Sequence, residues 1–185
     1  MATQWLTLGT LAIVLLVALG HDLTKRRIPN WLISSALVAA FFLNVLSTGT
    51  TDVPFGFMVP LGKLLLGLLT GFVAMLPMYM LRAMGAGDVK LMATVGAFLG
   101  PAPTLGALLL VFMAGGVLSL AMALYSGTFR LVVDNLRRMV INALPNSSCR
   151  ERSVQTTGRV PYALAIAIGT AIQLWAATQA GWPFK

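Results

Sequence analysis

The sequence predicts an all-α fold, a polytopic integral membrane protein of about six transmembrane helices. Three observations carry that expectation. The chain is 58% hydrophobic and 10% charged, with a mean hydropathy of +0.86, a composition outside the range of water-soluble domains of its length. Its apolar residues fall into long runs bounded by charge. Its basic residues fall in alternate loops, as they do where cytoplasmic loops retain Lys and Arg.

The first run covers about residues 3 to 20. No Lys or Arg precedes it and Lys25, Arg26 and Arg27 follow it, the reverse of a secretory signal peptide, so a retained first helix is expected. The second and third runs cover about 31 to 47 and 57 to 81. Glycines and methionines in the third and fifth runs are expected to mark close helix packing. The fourth, Val89 to Gly100, would reach only about 18 Å at 1.5 Å per residue, against a hydrocarbon core of about 30 Å. It is therefore expected either to be partly re-entrant or to extend backwards through Asp88. An uncharged Pro101 to Pro103 link leads to the fifth run at 104 to 125, and the sixth covers about 160 to 178.

The whole of 1–185 is expected to form a single membrane-embedded domain. Residues 126–158 form its cytoplasmic loop, in which 130–144 mix apolar positions with Arg130, Asp134, Arg137 and Arg138 in the pattern of a basic amphipathic interfacial helix. Pro145-Asn146-Ser147-Ser148 ends that pattern. Eleven of the thirteen Lys and Arg follow the first run, bracket the Gly-x-Gly-Asp turn, or lie between the fifth and sixth runs, and only Lys63 and Lys185 fall elsewhere. The Thr48 to Gly56 loop holds one acid, Asp52, and no base. Both chain ends are accordingly expected outside the cytoplasm. The net charge of +8 is accounted for by this topology and by anionic lipid. Nucleic acid is not an expected partner, because the basic residues interleave with apolar runs rather than forming a basic domain.

One cysteine, Cys149, and one histidine, His21, rule out an internal disulfide and a multi-cysteine or multi-histidine metal site. No G-x-S-x-G elbow and no H-E-x-x-H pair occurs. No metal or cofactor is expected. The chemistry is left to two of the five acidic residues, Asp22 and Asp88, which sit at the edges of apolar runs where a carboxylate is costly. Two crossings separate them, so both belong on the cytoplasmic side.

Each has a plain structural reading beside the functional one. Asp88 ends Gly85-Ala86-Gly87-Asp88 and opens an apolar run, the position of a helix N-cap, behind glycines that permit tight or left-handed backbone and close approach of another chain. Asp22 sits beside a basic cluster and could pair with Lys25 or Arg26. His21 either tunes Asp22 or is an interfacial side chain with its polar tip in water. Lys90, two residues after Asp88, faces another side of a helix and is expected to anchor the boundary. If the carboxylates converge they share one proton, leaving a base to activate water and an acid to protonate a carbonyl or leaving group. The competing expectations are a small membrane transporter or channel, in which the pair binds a cation or relays protons, and a non-catalytic assembly component.

Asp22 followed by Ile28-Pro29-Asn30, then Gly85-Ala86-Gly87-Asp88 with Lys90-Leu91, then Gly158-Arg159-Val160-Pro161-Tyr162-Ala163 together resemble the type IV prepilin peptidases, membrane aspartic proteases of the G-x-G-D class. The likeness runs from the first segment to the last. It implies that Asp22 and Asp88 are the catalytic pair of an aspartic endopeptidase, and that the substrates are prepilins or pseudopilins. Cleavage would fall after a short basic leader ending in glycine, at the cytoplasmic face of a bacterial inner membrane that the chain crosses several times. It further implies that Gly85 and Gly87 admit the substrate backbone and that Pro161 and Tyr162 line the site. Larger members carry two zinc-binding C-x-x-C pairs and methylate the new N-terminus. This chain lacks those cysteines and resembles the short branch of tight-adherence (Flp-type) pilus systems, so N-methyltransferase activity is not expected.

Overall fold

The computed structural model describes residues 2–25, 28–47, 58–81, 84–125, 127 and 162–179. They form six helices, α1 (Ala2–Lys25), α2 (Asn30–Ser47), α3 (Met58–Met80), α4 (Ala86–Leu99), α5 (Pro101–Tyr125) and α6 (Tyr162–Gln179), and no strand occurs among the described residues. This is an all-α membrane protein. Residues 1–114 and 161–185 make one compact unit, and residues 115–160 a second, whose described part is the C-terminal end of α5 from Gly115, together with Gly127. The rest of the expected 126–158 loop, including the helix expected at 130–144, lies outside the described residues.

Stretches of α1, α3 and α5 are long and apolar enough to cross a membrane. α2 and α6 have 18 residues each, about 27 Å at 1.5 Å per residue, close to a hydrocarbon core of about 30 Å. Leu16, Leu66, Leu69 and Leu109 are each more than half exposed on the outer faces of their helices, an apolar surface that lipid covers and water would not tolerate.

Inward, each outer helix buries a stripe at three- and four-residue spacing: Leu11, Leu15 and Ala18 on α1, Ile33, Ala36 and Ala40 on α2, Leu64, Gly67, Gly71 and Met75 on α3. Those stripes meet around α4, which packs against α1, α2, α3 and α6 and is buried at every position from Leu91 to Gly100. Its shortness follows from that enclosure, because protein rather than lipid lies against its sides. Of the two expectations for this segment, backward extension is the one observed, since the helix begins at Ala86 and contains Asp88.

α3 and α4 approach at backbone contact through glycines, Gly67 against Gly96 and the cap residue Gly100, and Gly71 against Met92 and Ala93. A Cβ on Gly67 would overlap the Gly96 carbonyl oxygen, one on Gly96 would overlap the Gly67 carbonyl oxygen, and one on Gly71 would stand 2.5 Å from the Met92 carbonyl oxygen. This is the small-residue packing by which helices associate in lipid, where no hydrophobic force separates helix from solvent. Gly100 closes α4 with φ of 82°, a conformation side chains rarely adopt, and its N–H donates to the Gly96 carbonyl at 2.8 Å. Lys63, an exception to the charge pattern, lays its stem across Gly100, where a Cβ would meet Lys63 Cε at 2.9 Å. Its cation thereby lies by the carbonyl end of α4.

Two boundaries differ from the sequence expectation. α1 continues past the apolar run to Lys25, so Asp22 lies within the helix rather than after it. The Pro101 to Pro103 link is the first turn of α5, where the missing proline N–H groups have no helical partner to lose.

Gly96→Ala is expected to destabilise the protein by about 1–3 kcal/mol through overpacking. Gly62→Ala, at a position where a Cβ meets nothing within 4 Å, is expected to leave stability unchanged or raise it by up to about 1 kcal/mol. Thermal unfolding of the two variants in detergent separates these outcomes.

Candidate active site

The inward stripe of α1 runs Leu11, Leu15, Ala18, and one further turn along that face brings Asp22. Asp22 Oδ2 accepts the backbone N–H of Ala163, the second residue of α6, at 3.3 Å. That amide, rather than Lys25, is its recorded hydrogen-bond donor, and Arg26 lies outside the described residues. His21 faces elsewhere. Its Nδ1 lies 3.1 Å from the Val17 carbonyl of its own helix, and its ring meets Trp31 edge-on at 6.2 Å between centroids.

Asp88 is not the N-cap of α4. The cap is Gly85, and Asp88 is the third helical residue, reaching back so that Oδ2 accepts the Gly85 N–H at 3.1 Å. This is half of a capping box. The other half needs a side-chain acceptor at the cap, which glycine does not have. Of the tight or left-handed backbone and the close approach of another chain expected of the glycines, close approach is what the described residues show. Gly85 has φ of −82° and ψ of 155°, open to any residue, and Gly87 is helical. What they provide is room: a Cβ on Gly85 would stand 3.3 Å from Asp88 Oδ2, and one on Gly87 would stand 3.3 Å from the Ile28 Cβ.

Asp88 lies in the first turn of α4, outside the apolar stretches long enough to span lipid. Burial there raises its pKa from 3.8 to about 6, the Gly85 N–H opposes the rise, and the negative charge of Asp22 adds to it. The charge of Asp22, sixty-six positions away and on a different helix, therefore reaches Asp88. The Tyr162 phenol lies within range of the same Asp88 charge. Lys90 Nζ donates to Asn30 Oδ1 at 3.1 Å and so ties the starts of α2 and α4 together.

One end of the bundle thus gathers Asp22, Asp88, Gly85, Gly87 and Tyr162, with Ile28 and Asn30 beside them. Pro161 lies outside the described residues. One contributor to the site, and one polar contact that joins α2 to α4 away from it, were not foreseen. The Ala163 amide has no signal in sequence, being a backbone group. Asn44, a lone amide in an apolar run, is buried farther along α2 and donates through Nδ2 to the Ala40 carbonyl at 2.8 Å and the Ala97 carbonyl at 3.3 Å, joining α2 to α4. Its position in a run of alanines and aromatics was the available clue.

One carboxyl that keeps its proton up to about pH 6, within reach of the charge of a second carboxylate, can pair an acid with a base in one site. Fold and site together define a helical membrane protein with an aspartate pair at one end of its bundle. The model of the type IV leader peptidase family matches residues 9–120, which include both aspartates and the Gly-x-Gly-Asp turn, and the chain belongs to that family of peptidases. Comparison with curated proteins and with solved structures returned no match.

Gly85→Ala is expected to fold normally, since its backbone suits alanine, yet to lower turnover by roughly tenfold by crowding Asp88 Oδ2. Turnover measured beside a melting curve checks both halves of that expectation.

Proposed function

We propose that this chain is an aspartic endopeptidase that removes the leader of type IV prepilins of the Flp-like kind at the cytoplasmic face of the bacterial inner membrane, with Asp22 and Asp88 as its catalytic pair. The observation that carries the reading is the placement of the two carboxylates at one end of the bundle, Asp22 against the first turn of α6 and Asp88 in the first turn of α4, where α1 packs against both helices and the Asp22 charge reaches Asp88. Membership of the leader peptidase family supports the substrate class. The alternate placement of basic residues supports a multi-pass topology with the site on the cytoplasmic side.

In the proposed cycle Asp88 begins protonated and Asp22 ionised. Asp22 takes a proton from water as the water oxygen bonds to the scissile carbonyl carbon, and Asp88 gives its proton to the carbonyl oxygen. The resulting gem-diol collapses: Asp22 passes its proton to the leaving nitrogen, the C–N bond breaks, and Asp88 recovers a proton from a hydroxyl. No covalent enzyme intermediate forms, and no cofactor takes part.

A prepilin is a basic leader followed by an apolar helix, so the bilayer itself sets its cleavage point level with the aspartates. Gly85 and Gly87 admit the extended backbone, with Pro161 and Tyr162 beside it. The chain acts as one membrane-embedded domain, with 126–158 as its cytoplasmic loop. The lack of paired cysteines supports a peptidase without methyltransferase activity. Co-expression with a prepilin tests the proposal. The expected product begins immediately after the leader glycine and is absent with Asp22→Asn, whereas persistent cleavage by that variant contradicts it.

A further inference from the structure

α6 begins beside Asp22. Arg159, Val160 and Pro161 precede it, and none has a side-chain acceptor for first-turn amides. A helix leaves its first four N–H groups without internal partners. Ala163, second in α6, is 1% exposed, so water has little access to its amide. The partner is Asp22, 141 residues earlier, whose Oδ2 accepts the Ala163 N–H at 3.3 Å. An aspartate on the first helix thus caps the last one.

We infer that the Ala163 backbone amide is a positioning group of the active site: it holds Asp22 Oδ2 at the first turn of α6 and so directs Oδ1 to the water it activates. The inference rests on the proposed role of Asp22 as base. Without this tether, Asp22 would be one carboxylate on a helical side chain with free χ angles. With it, the oxygen that takes the proton has a fixed direction, and preorganisation of that kind lowers the barrier without changing substrate affinity. The 163 side chain is incidental, because the group that acts is the N–H.

The test replaces the amide alone, by incorporating lactate in place of alanine at position 163 so that the N–H becomes an ester oxygen and the methyl stays. Turnover is expected to fall on the order of tenfold with KM changed by less than about twofold. The alkaline limb of kcat/KM is expected to move to lower pH, because a released Asp22 adds less to the elevation of Asp88. Ala163→Pro removes the same N–H in a first turn, where proline is tolerated, and is expected to follow the ester. An ester at Leu164 weakens the neighbouring carbonyl equally but leaves the tether, and is expected to turn over normally. An ester at 163 with unchanged turnover and unchanged pH limb overturns the inference, as does equal loss with the Leu164 ester. Asp22→Asn run alongside separates the two levels: if it cleaves, the base assignment fails, and if it is inactive while the 163 ester is fully active, only the tether fails.

Discussion

Asp88→Asn is expected to lose leader cleavage by at least about 10³-fold, the scale of a missing acid/base partner, and to leave the folded protein more stable at neutral pH. Loss of activity with a gain in stability separates a chemical role from a structural one. Burial, the largest cause, raises the folded-state pKa of Asp88 from 3.8 to about 6. A raised carboxyl favours folding fully below pH 3.8, and that advantage is lost as pH climbs through about 6. Above that point the folded protein carries a charge the unfolded chain bears more easily, at a cost of up to about 3 kcal/mol, with partial solvent contact reducing it. Asparagine carries no charge and still offers an oxygen to the Gly85 N–H. The gain in melting temperature is therefore expected at pH 7.5 and absent at pH 3.5, and a variant less stable than the intact chain at pH 7.5 would argue that Asp88 is a structural cap.

The same elevation fixes the pH dependence of cleavage. With Asp88 as the acid, the competent free enzyme is the one in which it is protonated, so kcat/KM is expected to fall tenfold per unit above about pH 6. The limb in kcat is expected at higher pH, because a docked leader excludes water from a carboxyl that burial already dominates. Replacing Asp22 by asparagine removes the charge that contributes to the elevation, so the titration of Asp88 in that variant moves downward. Carbon-detected NMR of labelled aspartate checks the shift independently of activity. A kcat/KM profile flat from pH 5 to pH 8 contradicts the assignment of Asp88 as acid.

Much of the fold was legible because apolar runs bounded by charge are the strongest signal a membrane chain carries, and each of the six runs became a helix. The boundaries were less so. Hydropathy ends the first run at Gly20, but backbone hydrogen bonding does not depend on side-chain polarity, and α1 continues to Lys25. Proline reads as a break, yet Pro101 and Pro103 lie where a helix has no N–H bond to lose. The inward faces were hidden, because α1 and α3 are apolar all round and nothing in composition distinguishes Leu15 from Leu16, one buried and one facing lipid. Glycine spacing was the exception: Gly67 and Gly71 are legible as a packing face without any partner in view.

For the site, topology put Asp22 and Asp88 on the same side of the bilayer, while their proximity in the plane depended on α4 standing at the centre of the bundle. The sequence left Asp88 either at the cap of α4 or inside a helix extended backwards through it, because a carboxylate at N3 and one at the cap both precede an apolar run. Only the reach of its side chain back to Gly85 separates them. The Ala163 amide could not be anticipated at all, since every residue but proline carries one.

The central claim is that Asp22 and Asp88 form one hydrolytic unit, and the most direct measurement is prepilin cleavage by the intact chain, by Asp22→Asn, by Asp88→Asn and by the double variant, with the product N-terminus sequenced. Groups that act as a unit are not additive, so the double variant is expected to be no slower than either single one, all three having lost the cleavage after the leader glycine. Cleavage by either single variant at a rate near that of the intact chain, or losses that multiply in the double variant, would contradict the account.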